Sequence, residues 1–559
     1  MTDHHPRSTW IPEDLNPQNF TTVPDLLDYC VKQYSDKPAF SCMGQTLTYS
    51  ELASQARQFA TYLQTETKLQ PGDRIAIQLP NILQYPIVLF GAMAAGLVVV
   101  NTNPLYTSRE MKHQFKDSGA KALVIYQPMA DKAEAILADT DVEHVFLTQL
   151  GDIHGFVKRH LLNFVVRHVK KMQPAFNLPS AKPLLACLSD QSVEKFKPVT
   201  VASPEVAVLQ YTGGTTGVAK GAVLTHANLV SNMLQGGGYI GQAGEGWADT
   251  VIAPLPLYHI YAFTVAQAVM YHGGHSVLIP NPRDIPGFVK EMKKWQPSAF
   301  LGLNTLFVAL CNNPEFAAVD FSRLILTASG GMPLTKAAAE RWEKVTECEI
   351  VEGYGLTETS PIVSMNIPKK AQIGTIGLAL PHTQTRIIDA EERDVPEGER
   401  GELCVKGPQV MQGYWQRESA TEESFTSDGY FKTGDIALQE ANGALRIVDR
   451  AKDMIIVSGF NVYPNEIEDL VSTHPDVLEC AAIGVPHETC GEVVKLFVVK
   501  SGEGENLTEK ALRGWCREQL TAYKVPRSIV FREDLPKSNV GKILRRELRD
   551  ETSSDGIDD

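Results

Sequence analysis

Several familiar signals are missing from this sequence, and each absence excludes a class of protein. The nine cysteines are scattered and form no CxxC pair. They support neither a disulfide framework nor a thiolate zinc site, and they suit a reducing compartment. No uninterrupted apolar run reaches the roughly 18 residues of a membrane-spanning helix. The opening stretch, Met1-Thr-Asp-His-His-Pro6, lacks the basic and apolar regions of a secretion signal. Basic charge is in deficit: 52 Lys and Arg stand against 66 Asp and Glu, a net charge of −14. That balance argues against nucleic acid as a partner. No internal repeat is visible.

What remains is an ordinary soluble composition, 43% hydrophobic and 21% charged, over 559 residues. Such a length predicts two or more domains. Over the first 450 residues, helical and strand patterns alternate. Thr48-Tyr-Ser-Glu51 reads as a capping box, with Leu52, Ala56, Phe59, Ala60 and Leu63 on one helical face behind it. Short apolar runs at 74–79, 97–100 and 121–126, spaced by helix-length segments, predict buried parallel strands. The expected architecture is α/β: two stacked α/β subdomains and a smaller β-rich one near 375–440, which contains Gly401-Glu-Leu-Cys-Val-Lys-Gly407. After Asp453 the pattern becomes a small α+β unit, with helices expected at 465–472 and 508–520 and a strand at 493–499. The predicted division is residues 1–449 and 450–559, with a hinge near 449–453. The acidic tail from Glu551 to Asp559 is expected to be disordered.

The most informative segment is Tyr211-Thr-Gly-Gly-Thr-Thr-Gly-Val-Ala-Lys-Gly-Ala222, with four glycines, three threonines and one lysine. A loop with so little bulk can turn its N–H groups toward one point and hold polyphosphate, with Lys220 as a mobile charge. It departs from the common P-loop, because Ala219 precedes Lys220 and Gly221 follows it. The plain alternative is a flexible Gly/Thr linker. Gly236-Gly-Gly-Tyr-Ile-Gly241 is formally a GxGxxG, but it follows a helix-like segment rather than a strand, which speaks against a dinucleotide site.

Four further segments complete a pattern. They are Val351-Glu-Gly-Tyr-Gly-Leu-Thr-Glu-Thr-Ser-Pro361, Tyr430-Phe-Lys-Thr-Gly-Asp435, Asp449-Arg-Ala-Lys-Asp453 and Pro536-Lys-Ser-Asn-Val-Gly-Lys542. In this order and spacing the chain resembles the adenylate-forming superfamily of acyl-CoA synthetases, luciferases and peptide-synthetase adenylation domains. Gly459-Phe-Asn-Val-Tyr-Pro-Asn-Glu-Ile-Glu468 and Pro254-Leu-Pro-Leu-Tyr-His-Ile260 are most similar to bacterial long-chain fatty acyl-CoA synthetases. The resemblance runs from about residue 20 to about 550.

The resemblance implies a small C-terminal domain that moves and an acid–thiol ligase reaction in two halves. A carboxylate attacks the α-phosphorus of ATP, and CoA then takes the acyl group from the adenylate. It implies that Tyr211, Thr212, Gly213, Gly214, Thr215, Thr216, Gly217 and Lys220 surround the phosphates. Glu358 would hold Mg²⁺, with Thr212 a weaker candidate. Gly330, Gly331, Glu352, Gly353, Tyr354, Gly355 and Thr357 would form the adenine side, Tyr354 stacking on the purine. Asp435 and Arg450 would take the ribose. Lys542 would reach the carboxylate and α-phosphate, and Lys452 would be the hinge. Arg545, Arg546 and Arg549 leave a second reading of Lys542 as one member of a solvated basic run. His259 would lie beside the adenylate, although a structural histidine is an equal reading. Tyr258, Gly302 and Asn304, with residues 231–241, would line the acyl pocket. Ile456 departs from the family, many of whose members carry a lysine there for the second half-reaction.

Residues 156–172 include Lys158, Arg159, Arg167, Lys170 and Lys171 and no acid. On one continuous helix, Arg159, Asn163, Arg167 and Lys170 share a face, and Val157, Leu161, Phe164, Val165 and Val169 another. This fits a helix lying on anionic lipid or, equally, one packed on the domain. The combined expectation is a cytoplasmic long-chain fatty acid–CoA ligase, peripheral to the inner face of the cell membrane. Its partners would be fatty acid, ATP and CoA, and a homodimer stays open. The alternatives are an acyl- or aryl-CoA ligase of other chain length and a free-standing enzyme that loads a carrier protein.

Overall fold

The computed structural model describes residues 16, 19–189, 193–212, 219–487, 489–502, 504, 506–538 and 541–554. The predicted capping box is formed. The Thr48 hydroxyl accepts the Glu51 N–H at 3.2 Å and the Glu51 carboxylate accepts the Thr48 N–H at 2.8 Å, opening the helix Tyr49–Glu66. Leu52, Ala56, Phe59, Ala60 and Leu63 are buried along it. This face packs on the helix Gln84–Ala94. There a Cβ on Gly91 would lie 2.7 Å from the Ala56 carbonyl oxygen, so only glycine permits the approach.

A seven-stranded sheet runs in the order Lys182–Pro183, His144–Thr148, Ala120–Tyr126, Arg74–Gln78, Val98–Asn101, Val206–Thr212, Lys220–Thr225. All neighbours are parallel except the last pair. Ile75-Ala-Ile77 and Val99-Val100 are buried without alternation, as strands covered on both faces require. A nine-stranded sheet has a parallel centre running from Pro38–Cys42 through Ser276–Leu278, Val251–Ala253, Ala299–Gly302 and Leu326–Ser329 to Ile350–Gly355. Antiparallel strands close both of its edges. One hydrophobic core joins the two sheets, with Ile75, Val99 and Ala122 from the first and Ile252, Phe300 and Ile350 from the second.

The β-rich part is a four-stranded antiparallel sheet of Gln384–Ile388, Gly401–Lys406, Phe431–Gln439 and Leu445–Arg450. Beyond it lies a small five-stranded sheet with helices Pro464–Val471, Glu509–Gln519 and Arg545–Ser554. That unit has a core of its own, which includes Ile455, Ile467, Leu496 and Leu512. A large α/β N-terminal part therefore carries a small α+β C-terminal one.

Two local expectations need correction. Glu551 to Ser554 are not disordered but form the last turn of Arg545–Ser554, where Arg532 pairs with Glu551 at 2.6 Å; residues 555–559 lie outside the described residues. The 156–172 segment is not one regular helix. An α-helix, Phe156–Phe164, passes into a π turn, Val165–Val169, closed by Lys170 N–H to Val165 O at 2.8 Å. The wider turn shifts the phase of everything after it, so Arg159 and Asn163 do not share a face with Arg167 and Lys170. Asn163 instead turns inward, accepting the Gly151 N–H at 2.8 Å and donating to Asp152 at 3.2 Å. Arg159 likewise donates to the His154 carbonyl at 3.3 Å.

Candidate active site

The cleft lies at the carboxyl ends of the nine-stranded sheet, where parallel strands leave room for ligands. Strand Leu326–Ser329 delivers Gly330 and Gly331. Gly331 is left-handed, φ +80°, and a Cβ there would meet nothing within 4 Å, so its backbone is bare toward open space. Gly330 packs on the ring of Tyr261, which a Cβ would approach to 3.3 Å. Strand Ile350–Gly355 delivers Tyr354 and then turns sharply. A Cβ on Gly355 would fall 1.9 Å from the Pro361 oxygen, which makes glycine obligatory before the turn Thr357–Thr359 that carries Glu358.

Asp435 is the centre of the polar constellation. It sits in strand Phe431–Gln439 directly opposite Arg450 and is only 2% exposed. Its Oδ1 accepts Arg450 Nε at 2.6 Å and its Oδ2 accepts the Tyr354 hydroxyl. Burial, and then the Asp435 charge, push the Tyr354 phenol well up, so it stays a donor. Tyr354 is thus anchored edge-on by its oxygen, which fixes the plane of its ring.

Lys542 arrives from the small unit on a tight turn. Ser538 N–H donates to the Lys542 carbonyl at 2.7 Å, and Lys542 N–H donates to the Ser538 hydroxyl at 3.1 Å. Gly541, φ +82°, seats the turn against the loop after Gly302; a Cβ there would stand 2.8 Å from Thr305 Oγ1. Burial in the cleft pushes the ammonium down to about 8, the Arg450 charge adds to this, and Asp435 opposes it. Lys542 is therefore not part of a solvated run. Arg545 and Arg549 are tied to acids, at 2.6 Å to Glu468 and 2.7 Å to Asp453. His259 is pushed down to about 4 by burial and then by Lys542, so its ring is neutral at pH 7. Its Nδ1 accepts the Tyr261 N–H at 3.3 Å at the start of helix Ile260–Tyr271.

The phosphate loop is a hairpin connection between antiparallel strands, with Thr212 paired to Lys220 at its feet. Gly213, Gly214, Thr215, Thr216 and Gly217 lie outside the described residues. Glu358 packs beside these strands, and its Oε1 accepts the Tyr414 hydroxyl at 2.7 Å. Lys220 Nζ stands 5.1 Å from the centre of the same Tyr414 ring. Tyr414, which no motif pointed to, thus touches both ends of the anionic subsite; its only sequence signal is the Gly413-Tyr-Trp415 step that pairs with the Lys220–Thr225 strand through Ala222.

Other expected residues are placed differently. Tyr211 points away from the cleft into the core of the first sheet, its hydroxyl donating to Asp117 at 2.7 Å. Glu352 lies beneath the cleft floor, where it accepts the Leu334 N–H at 3.1 Å and burial pushes its carboxyl up to about 8. Gly353 packs on Met365. Asn304 is committed to Thr335, accepting its N–H and hydroxyl at 3.0 Å each. Gly302 lies against the Phe300 and Phe307 rings, which a Cβ would approach to 2.8 Å. The Tyr258 carbonyl accepts Gln210 Nε2 at 3.0 Å. Residues 236–240 of the formal GxGxxG are inside the helix His226–Ile240. Lys452 stands in the short turn Ala451–Asp453, its ammonium lowered by burial and then by Arg450.

Residues 27–415 match the family model described as AMP-binding enzyme, and residues 466–542 match that of the AMP-binding enzyme C-terminal domain. The chain belongs to the AMP-binding enzymes. It is 50% identical over 543 residues to a long-chain-fatty-acid–CoA ligase of Escherichia coli O6:H1, covering 97% of this chain and 96% of that one. A long-chain-fatty-acid–CoA ligase of Bacillus subtilis is 34% identical over 545 residues, covering 97% and 96%. Among solved structures, ATP-bound MatB from Rhodopseudomonas palustris superposes with a TM-score of 0.83 at 28% identity, covering 96% of this chain and 100% of that one. The anthranilate CoA ligase AuaEII, solved with anthranoyl-AMP, has a TM-score of 0.86 at 23% identity over 96% and 98%, a likeness of fold. This AMP-binding enzyme therefore shares the whole two-part chain with these relatives, not an isolated motif.

Proposed function

We infer that this AMP-binding enzyme activates long-chain fatty acids to acyl-CoA through an acyl-adenylate, releasing AMP and pyrophosphate. The observation that carries the reading is the pairing of Asp435 with Tyr354 and Arg450 in a cleft that also receives Lys542. The 50% identity to fatty acid ligases supports the substrate class.

In the first half-reaction, Asp435 is an acceptor for ribose hydroxyls and Arg450 holds it in place. Lys542 brings positive charge to the attacking carboxylate and α-phosphate, where negative charge concentrates in the transition state. Gly330 and Gly331 offer bare backbone to the purine, and the loop from Thr212 to Lys220 takes the outer phosphates. Among the described residues no group of three or more His, Cys, Asp or Glu is placed to hold a metal. A divalent ion would therefore be held by Glu358 together with oxygens of the nucleotide, a donor set that suits Mg²⁺, and it would supply charge neutralisation at the phosphates. For the second half-reaction, the unit beyond the 1–449 and 450–559 boundary turns about Lys452, withdrawing Lys542.

The segment 156–172 supports peripheral attachment to the cytoplasmic face of the membrane. Phe156, Val157, Leu161, Phe164, Val169 and Met172 are half of the twelve exposed large hydrophobic side chains among the described residues. No described helix is long and apolar enough to span a bilayer. Arg167, Lys170 and Lys171 flank the apolar face, as an interfacial helix on anionic lipid requires.

A pyrophosphate-release screen of carboxylic acids from C4 to C20, with and without CoA, tests the reading. Turnover that needs CoA and peaks at long chains is expected. A peak at short or aromatic acids would point to another CoA ligase, and adenylate formation with no CoA-dependent turnover would point to carrier loading. Sedimentation of the same preparation reports whether it is a homodimer.

A further inference from the structure

If the small unit turns about Lys452, every bond that joins residues before the hinge to residues after it must break. Two such bonds converge on one buried carboxylate. Asp449, fully buried in strand Leu445–Arg450 and paired there with Ile436, belongs to the antiparallel sheet. Its Oδ2 accepts the Asn465 N–H at 2.8 Å, in the first turn of helix Pro464–Val471. Its Oδ1 accepts Arg545 NH1 at 3.4 Å. A third crossing bond lies beside them, from Asn465 Nδ2 to the Val448 carbonyl at 3.3 Å.

The rest of the Arg545 environment lies beyond the hinge and travels with it. Arg545 forks onto Glu468 at 3.0 and 2.6 Å, donates to Asn465 Oδ1 at 2.5 Å and meets Asp453 at 3.4 Å. Arg549 closes the group on Asp453 at 2.7 Å. Arg545 and the helix start are therefore one rigid block, and Asp449 is the anchor on the other side. Arg545 is also three residues from Lys542, at the end of the turn that seats against Thr305.

We propose that Asp449 is the positioning residue for Lys542, a buried anchor that grips Arg545 and the Pro464–Val471 helix and so holds the lysine turn in the cleft for adenylation. The proposal rests on the rotation about Lys452 inferred above. Breaking the grip leaves a buried carboxylate without its cationic partner, an unfavourable state, so the resting population is biased toward the adenylation arrangement.

Asp449→Asn keeps the shape and removes the charge. Pyrophosphate–ATP exchange should fall about 10- to 100-fold, while thioester formation from supplied acyl-adenylate and CoA stays constant or accelerates. A melting curve on the same sample controls for folding. Asp449→Glu, which restores the charge, should recover part of the exchange activity. Equal loss in both half-reactions, or unchanged exchange, overturns the role of Asp449. Lys452→Pro, run in parallel, separates this from the parent reading. Proline there should spare exchange and slow thioester formation. If it slows both alike, the hinge falls and the proposal with it; if it separates them and Asp449→Asn does not, only Asp449 loses its part.

Discussion

The cleft and the 156–172 segment depart from ordinary folding in opposite directions. The cleft buries charge: Asp435 and Asp449 are nearly or fully inaccessible, and the Lys542 ammonium is partly desolvated. The segment exposes apolar surface, with Phe156 and Val157 at 74% and 79%. Each departure carries a free-energy penalty, but the two are offset differently. Buried charge in the cleft is matched within the chain, Asp435 by Arg450 and Tyr354, Asp449 by Arg545 and Asn465. The exposed apolar side chains have no such cover from the chain. Internal pairing marks a preorganised site; unbalanced apolar surface marks a contact with something outside the molecule.

The largest effect that would break this contrast is on the cleft side. Lys542→Ala should reduce adenylate formation by roughly 10²–10³, about 3–4 kcal/mol of transition-state stabilisation, and spare thioester formation from supplied adenylate. Rapid-quench measurement of the two half-reactions checks it, and equal losses would remove the assigned role.

The outside partner comes next. Replacing Arg167, Lys170 and Lys171 with Gln should weaken partitioning onto anionic vesicles by roughly 10²-fold, at about 1 kcal/mol for each basic residue. Arg159→Gln should change it little, because that side chain turns inward to the His154 carbonyl. Vesicle flotation of both variants sharpens the comparison; if Arg159→Gln matters as much as the triple change, the face has been misplaced. Activity on detergent-dispersed fatty acid should persist in both.

Partial desolvation of Lys542 predicts a pH signature. The cationic form is present below about pH 8 and is lost as pH rises through that value. Adenylation kcat/KM should then fall about tenfold per pH unit above it. Lys542→Arg, if active at all, should lose this alkaline limb. A profile flat to pH 10 in the parent enzyme would contradict the desolvated setting.

The smallest effect is expected at Tyr414. Tyr414→Phe keeps the ring under Lys220 and removes the hydrogen bond to Glu358. A loss of about 1 kcal/mol, several-fold, is expected, appearing as a higher Mg²⁺ requirement in exchange and as weaker Mg²⁺-dependent ATP binding by calorimetry. An unchanged Mg²⁺ response would make Tyr414 a packing residue.

Much of this molecule was legible in one dimension because its signals are local. The capping box at Thr48–Glu51, the apolar runs that became Arg74–Gln78, Val98–Asn101 and Ala120–Tyr126, and the strand Gly401–Lys406 each depend on neighbours within a few residues. The misread segment shows the boundary of that method. Residues 156–172 carry the right composition for an amphipathic helix, but a π turn at Val165–Val169 changes which residues share a face. Nothing in the local pattern announces that extra residue per turn.

By itself, then, the order of residues determined the alternation of strands and helices, the Gly-rich hairpin loop, and the set of side chains able to handle phosphate and ribose. Tertiary structure decided which of them meet. Tyr354 and Asp435 are 81 residues apart, Glu358 and Tyr414 are 56, and Asp449 and Arg545 are 96. It also turned Tyr211 away from the cleft onto Asp117 and committed Asn304 to Thr335. The reason is physical. Propensity, capping and periodicity act over one or two turns of chain, whereas charge pairing and burial depend on distance in space, which sheet order and domain seating alone establish.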